Sequence, residues 1–125
     1  MSNISYNEKE EAFELPYKIW GSEQTVRFYT EAEADIMNNL TIIAKKLAEL
    51  DGSRKKIASL IADEGYYEGG DTDRLAKELN LENVYVDIEE DDAVVCITVD
   101  SYDGYMPSAV CIEFIDGVPE ITGKA

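Results

Sequence analysis

The sequence predicts an α+β protein: an N-terminal β-hairpin, two to three helices, then a four-stranded antiparallel meander with the helices packed on one face. Three observations carry this. Aromatic and β-favouring residues cluster between Phe13 and Tyr29, apolar residues recur every three or four positions from Ile36 to Ile61, and from Val84 onward the apolar period falls to two. The 125 residues suit one domain. Residues 1–12 read as a loosely held arm and 13–125 as the folded unit.

The first hairpin joins Phe13–Trp20 to Thr25–Tyr29 through Gly21-Ser22-Glu23-Gln24, with Pro16 making the first an edge strand or delaying its start. Thr30-Glu31-Ala32-Glu33 has the form of a capping box, in which a threonine oxygen accepts from the helix and a glutamate reaches back. Behind it Ile36, Leu40, Ile43, Leu47 and Leu50 form one apolar stripe of about four helical turns, stopped at Gly52. A second helix starts near Ser53, buries Ile57, Leu60 and Ile61, and ends at Gly65. A third runs from Thr72 to Leu79, capped by Asp71 or Thr72. The strands follow: Val84-Val86-Ile88, Val95-Ile97-Val99, Val110-Ile112-Phe114, and Val118 to Thr122 after an Asp116-Gly117 turn.

Charge is the extreme property. Twenty-seven acidic residues against eleven basic ones leave a net charge of −16. Such a field repels nucleic acid and anionic membranes and favours a basic protein partner, a cation, or simply high solubility. It is also uneven, since no Lys or Arg lies between Lys77 and Lys124, whereas Lys45, Lys46, Arg54, Lys55 and Lys56 crowd one helical stretch. The polar, acidic segment from Met1 to Glu14 resembles neither a secretory signal nor a transit peptide, so a cytoplasmic location is expected.

Catalysis is disfavoured by the absence of histidine, which removes the commonest general base and imidazole metal ligands together. No phosphate-binding glycine loop or nucleophile elbow occurs. Cys96 and Cys111 lie in apolar strand segments and read as packing residues. A two-residue turn at Asp103-Gly104 would set them opposite each other, but Pro107 would then fall on a hydrogen-bonded position, so a longer loop or a bulge is expected. Asp71 with Asp73, or the run Glu89-Glu90-Asp91-Asp92, could hold a hard cation through oxygen. Helix capping and a solvated turn account for them more simply, and no metal or cofactor is expected.

Recognition remains. Tyr66 and Tyr67 adjoin Glu68 and Asp71, while Tyr102 and Tyr105 flank Asp103 near Asp100. Tyrosine supplies large contact area with few rotors, and surrounding carboxylates speed encounter with a basic surface. The expected partner-binding set is therefore Tyr66, Tyr67, Glu68, Asp71, Glu89, Glu90, Asp91, Asp92, Asp100, Tyr102, Asp103 and Tyr105.

In order and spacing, WGSEQTVRFYTE, NNLTIIAKKLAELDGSRKKIASLIADEGYY and the closing LENVYVDIEEDDAVVCITVD…AVCIEFIDGVPEITG resemble a group of small bacterial domains. Relatives of that group include immunity proteins of polymorphic-toxin and contact-dependent growth-inhibition systems. The resemblance covers roughly residues 15–123; where such domains often carry Gly-His before the third strand of the closing block, this chain has Pro107-Ser108. It implies a non-enzymatic protein that sequesters a cognate toxin, often a nuclease with a basic cleft.

Overall fold

The computed structural model describes residues 4–89, 92–115 and 117–125. Strands β1 (Ser5–Asn7), β2 (Ala12–Ile19) and β3 (Ser22–Phe28) come first. Helices α1 (Glu33–Asn38), α2 (Leu40–Asp51), α3 (Arg54–Asp63) and α4 (Thr72–Glu78) follow. Strands β4 (Leu79–Glu89), β5 (Asp92–Ser101), β6 (Val110–Ile115) and β7 (Val118–Lys124) complete the chain.

The strands form one seven-stranded sheet in the order of the sequence. This overturns the expected four-stranded meander. Every pair is antiparallel except β3 and β4, which run parallel with Val26 opposite Val84 and Phe28 opposite Val86. A parallel pair needs a long crossover, and the whole helical segment supplies it. The alternation of Val26 and Phe28 marks a buried face but not the neighbour that completes it. That neighbour lies across fifty-odd residues, beyond what local periodicity reports.

Crossing the sheet, Val26, Val84, Ile97, Ile112 and Ile121 form one continuous row on the helix side. They belong to a single core with Ile43, Leu47 and Leu50 of α2 and Ile57 and Ile61 of α3. The opposite face carries the row Glu14, Arg27, Tyr85, Cys96, Glu113 and Glu120, with Arg27 Nε 3.1 Å from Glu14 Oε2. The four helices thus occupy one side of a sheet whose other side is mostly polar. No helix among the described residues is long and apolar enough to cross a membrane.

Several local expectations shift. The hairpin turn is Trp20-Gly21, both with positive φ (54° and 81°), because Ile19 already pairs with Ser22; tight hairpins favour such residues because their twist matches the strands. Trp20 is held there by its amide donating to Asp51 Oδ1 at 2.7 Å and its indole Nε1 donating to the Leu50 carbonyl at 3.1 Å. The expected long helix is two helices. Asn39 leaves helical geometry (φ −113°, ψ 12°) and donates from its side chain to the Asp35 carbonyl, and after this break Leu40 stands 38 % exposed instead of entering the core. Thr30 does not cap: Ala32 occupies the cap position, and the Thr30 hydroxyl donates instead to the Asp35 carboxylate. Within the segment expected to be a loose arm, Ser5–Asn7 pair with Ala12–Glu14.

Cys96 faces Glu113 and Thr98 faces Cys111, so the two thiols are diagonal neighbours on one face, and both are free. The facing-cysteine register fails because residues 102–109 form a longer connection.

Candidate docking site

One end of the sheet gathers the start of β4, the end of β5, the start of α4 and two loops. Asp103 organises it. Its side chain is 2 % exposed, and a buried carboxylate survives only where donors replace water. Tyr67 donates its hydroxyl to Oδ2 at 2.8 Å, the Ser101 hydroxyl and the Tyr105 amide donate to Oδ1, and Arg74 Nε lies 3.5 Å from Oδ2. Burial alone would raise this carboxyl, but the hydrogen bonds from Ser101, the Tyr105 amide and Tyr67, with the Arg74 charge, outweigh it and hold Asp103 below the usual carboxylate range. Burial, followed by donation to Asp103, pushes the Tyr67 hydroxyl up to about 12.

The network fixes both loops. Glu68 donates its amide to the Tyr105 carbonyl at 2.9 Å. The Arg74 guanidinium stands 5.3 Å over the Tyr105 ring, which meets Tyr67 edge-on with centroids 6.2 Å apart. Gly69 must be glycine, since any Cβ there would overlap the Tyr67 phenol. Asp71 caps α4, accepting from the amides of Asp73 and Arg74.

On this frame the outermost side chain is Tyr102, 73 % exposed. It is oriented by its amide donating to the Glu78 carbonyl and its hydroxyl donating to Asn80 Oδ1 at 2.7 Å. Asn80 in turn donates to Asp100 at 3.2 Å. Beside them Glu82 projects from a bulge between Leu81 and Asn83. Its hydrogen bond with Asp100, then burial and the Asp100 charge, raise the Glu82 carboxyl above its ordinary value.

Comparison with family models, with curated proteins and with solved structures finds no match for this chain.

The structure brings Tyr67, Glu68, Asp71, Asp100, Tyr102, Asp103 and Tyr105 together at this end. Tyr67 and Asp103 are buried within the frame, whereas Tyr102 and Tyr105 are exposed. Tyr66 packs partly against the core, its amide donating to the Ile61 carbonyl. Glu89 and Asp92 pair at the far end of β4 and β5, roughly 33 Å away at about 3.3 Å per strand residue; Glu90 and Asp91 lie outside the described residues. Glu89 and Asp92 therefore lie at the opposite end of the β4–β5 pair from Asn80 and Asp100.

Sequence reasoning missed Arg74, Ser101, Asn80 and Glu82. The bulge did leave a signal: Leu79 and Leu81 are buried, yet so are Val84 and Val86, and this change from odd to even positions requires one extra residue. Among the described residues no three thiols or carboxylates converge to hold a metal ion.

Proposed function

We propose that this chain is an acidic, immunity-type protein that binds and neutralises a basic partner through the Tyr102–Tyr105 end of its sheet. The observation that carries the reading is a rigid aromatic projection in an acidic setting. Tyr102 is exposed but tethered at both amide and hydroxyl, and Tyr105 (43 % exposed) stands beside it. Glu68, Asp71, Glu82 and Asp100 surround the pair, and Glu68, Asp71 and Glu82 are exposed. Pre-ordered aromatics lose little entropy on docking and dominate interface energies. Carboxylates around them steer a cationic surface and accept from its Arg and Lys.

A toxin with a basic, nuclease-type cleft is the partner implied by the resemblance, met in the cytoplasm. The reading requires no catalytic group of the inhibitor. The test is capture of partners from the native host by the full chain, followed by co-expression of the captured protein with and without it. A basic protein that arrests growth alone and is harmless in co-expression supports the proposal. A captured set of neutral or acidic proteins, or toxicity that persists in co-expression, overturns it.

A further inference from the structure

A cleft between α3 and α4 has a chemistry opposite to that of the molecule as a whole. It encloses about 450 Å³ and is lined by Arg54, Lys55, Asp73, Ala76 and Lys77. Three of the eleven cations of a chain with net charge −16 thus meet around one cavity with one carboxylate. Among the described residues, neither Lys55 nor Lys77 is ion-paired, although twenty-seven acidic residues are available in the chain. Like charges gathered around one cleft repel, an effect that solvent screens at the exposed Lys55 and Lys77 and that Asp73 offsets only in part, and a bound anion would relieve it.

Arg54 shows the same unmet demand. One terminal nitrogen donates to the Lys77 carbonyl at 2.9 Å, and the guanidinium lies 5.6 Å over the Trp20 ring, so its position is fixed. Its Nε is buried with no acceptor. Arg54 and Lys55 also open α3, where the Ser53 hydroxyl donates back to the Glu49 carbonyl and caps no amide, leaving the positive end of the helix dipole uncompensated. The cavity volume falls within the range of small-molecule sites.

We propose that this cleft binds a small oxyanion of two or more charges, held by Arg54, Lys55 and Lys77. Phosphate and carboxylate groups present the same acceptor geometry to these donors, so the class is a phosphorylated or polycarboxylate metabolite. None of the residues proposed to dock a protein lines this cleft, although Arg54 also borders a smaller pocket that it shares with Asn80 and Tyr102; anion binding is therefore read on the chain alone, without a protein partner.

Trp20 is the single tryptophan and touches Arg54, which provides an intrinsic reporter. The intact chain is titrated with inorganic pyrophosphate and, separately, with citrate at constant ionic strength of about 0.15 M, following Trp20 fluorescence and, in parallel, heat. Saturable binding with half-saturation at or below about 1 mM is expected. Lys55→Ala and Lys77→Ala should each weaken it roughly tenfold, and Asp73→Asn should tighten it. The charge-matched pair Lys45→Ala/Lys56→Ala, outside the cleft, should leave it unchanged. Preference for pyrophosphate or for citrate identifies the phosphate or the carboxylate source. No saturation by either probe in either readout overturns the proposal. So does equal weakening in the cleft variants and the Lys45/Lys56 pair, or binding unaffected by Lys55→Ala and Lys77→Ala.

Discussion

The Tyr67 hydroxyl donates to Asp103 Oδ2 at 2.8 Å, joining two loops whose residues are 36 apart in sequence. Both groups are nearly buried, and so the bond works in a setting where water competes weakly. Asp103→Ala strands the Tyr67, Ser101 and Tyr105 donors together and should cost about 2–4 kcal/mol; Tyr67→Phe removes one donor and should cost about 1–2 kcal/mol. Urea unfolding measures both. Because the residues share one bond, the double variant should lose less than the sum of the single losses.

Acid should weaken the same frame. The Asp103 carboxyl titrates below its ordinary value in the folded chain, so the unfolded state binds the proton first. Its contribution is complete above the unfolded value of about 4 and is lost as pH falls through the lower folded value. The gap in urea midpoint between the wild type and Asp103→Asn should be full at neutral pH and should narrow in strong acid. A gap independent of pH would assign Asp103 no electrostatic role.

Glu82 has the opposite sign. Its folded value is raised by Asp100, so its contribution is present below the unfolded value and is lost as pH rises through the folded one. At neutral pH the two carboxylates repel. Glu82→Gln should therefore stabilise the fold by a few tenths of a kcal/mol at pH 7, the modest size reflecting solvent screening. The gain should shrink towards pH 4. Thermal unfolding at the two pH values measures the difference.

Cys96 should resist alkylation. Burial pushes its thiol up to about 11, outweighing the lowering by the Tyr85 hydrogen bond, with smaller upward contributions from the charges of Glu113, Asp87 and Cys111. The thiolate is the reactive form, so iodoacetamide at pH 8 should modify Cys96 at least about tenfold more slowly than a free cysteine. Mass spectrometry of timed digests reads this directly.

These features were unequally legible. The last three helices and the final four strands announce themselves, because Ile57 with Ile61, and Val95 with Ile97 and Val99, repeat at intervals dictated by local backbone geometry. The sheet as a whole does not. Its size depends on Phe28 meeting Val86 across the helical segment, and no local period encodes that partner. The sequence singles out Tyr102, Asp103 and Tyr105 as a loop cluster, but it cannot distinguish a carboxylate turned inward on Tyr67 from one offered to a partner. Asp103 is accordingly a support of the docking surface, and charge reversal there would test folding before binding. Glu89 and Asp92, adjacent in composition to the other acids, are removed from them by the length of β4. Arg54 looks like one cation in a basic stretch until Trp20 and Lys77 enclose it.

Docking at the tyrosine end is tested by the affinity of the captured basic partner for the wild type and for Tyr102→Ala/Glu68→Lys. Tyr102 is 73 % exposed and Glu68 is exposed, so the fold should survive, with unfolding curves as the check. Calorimetry should show Kd weakened about 100-fold or more, consistent with losing an aromatic hot spot of roughly 2 kcal/mol or more together with an attractive charge. Glu23→Lys/Glu120→Lys, on β3 and β7, should bind like the wild type apart from a small salt-dependent change. Equal affinity of the wild type and the Tyr102/Glu68 variant, in a folded protein, would contradict the account.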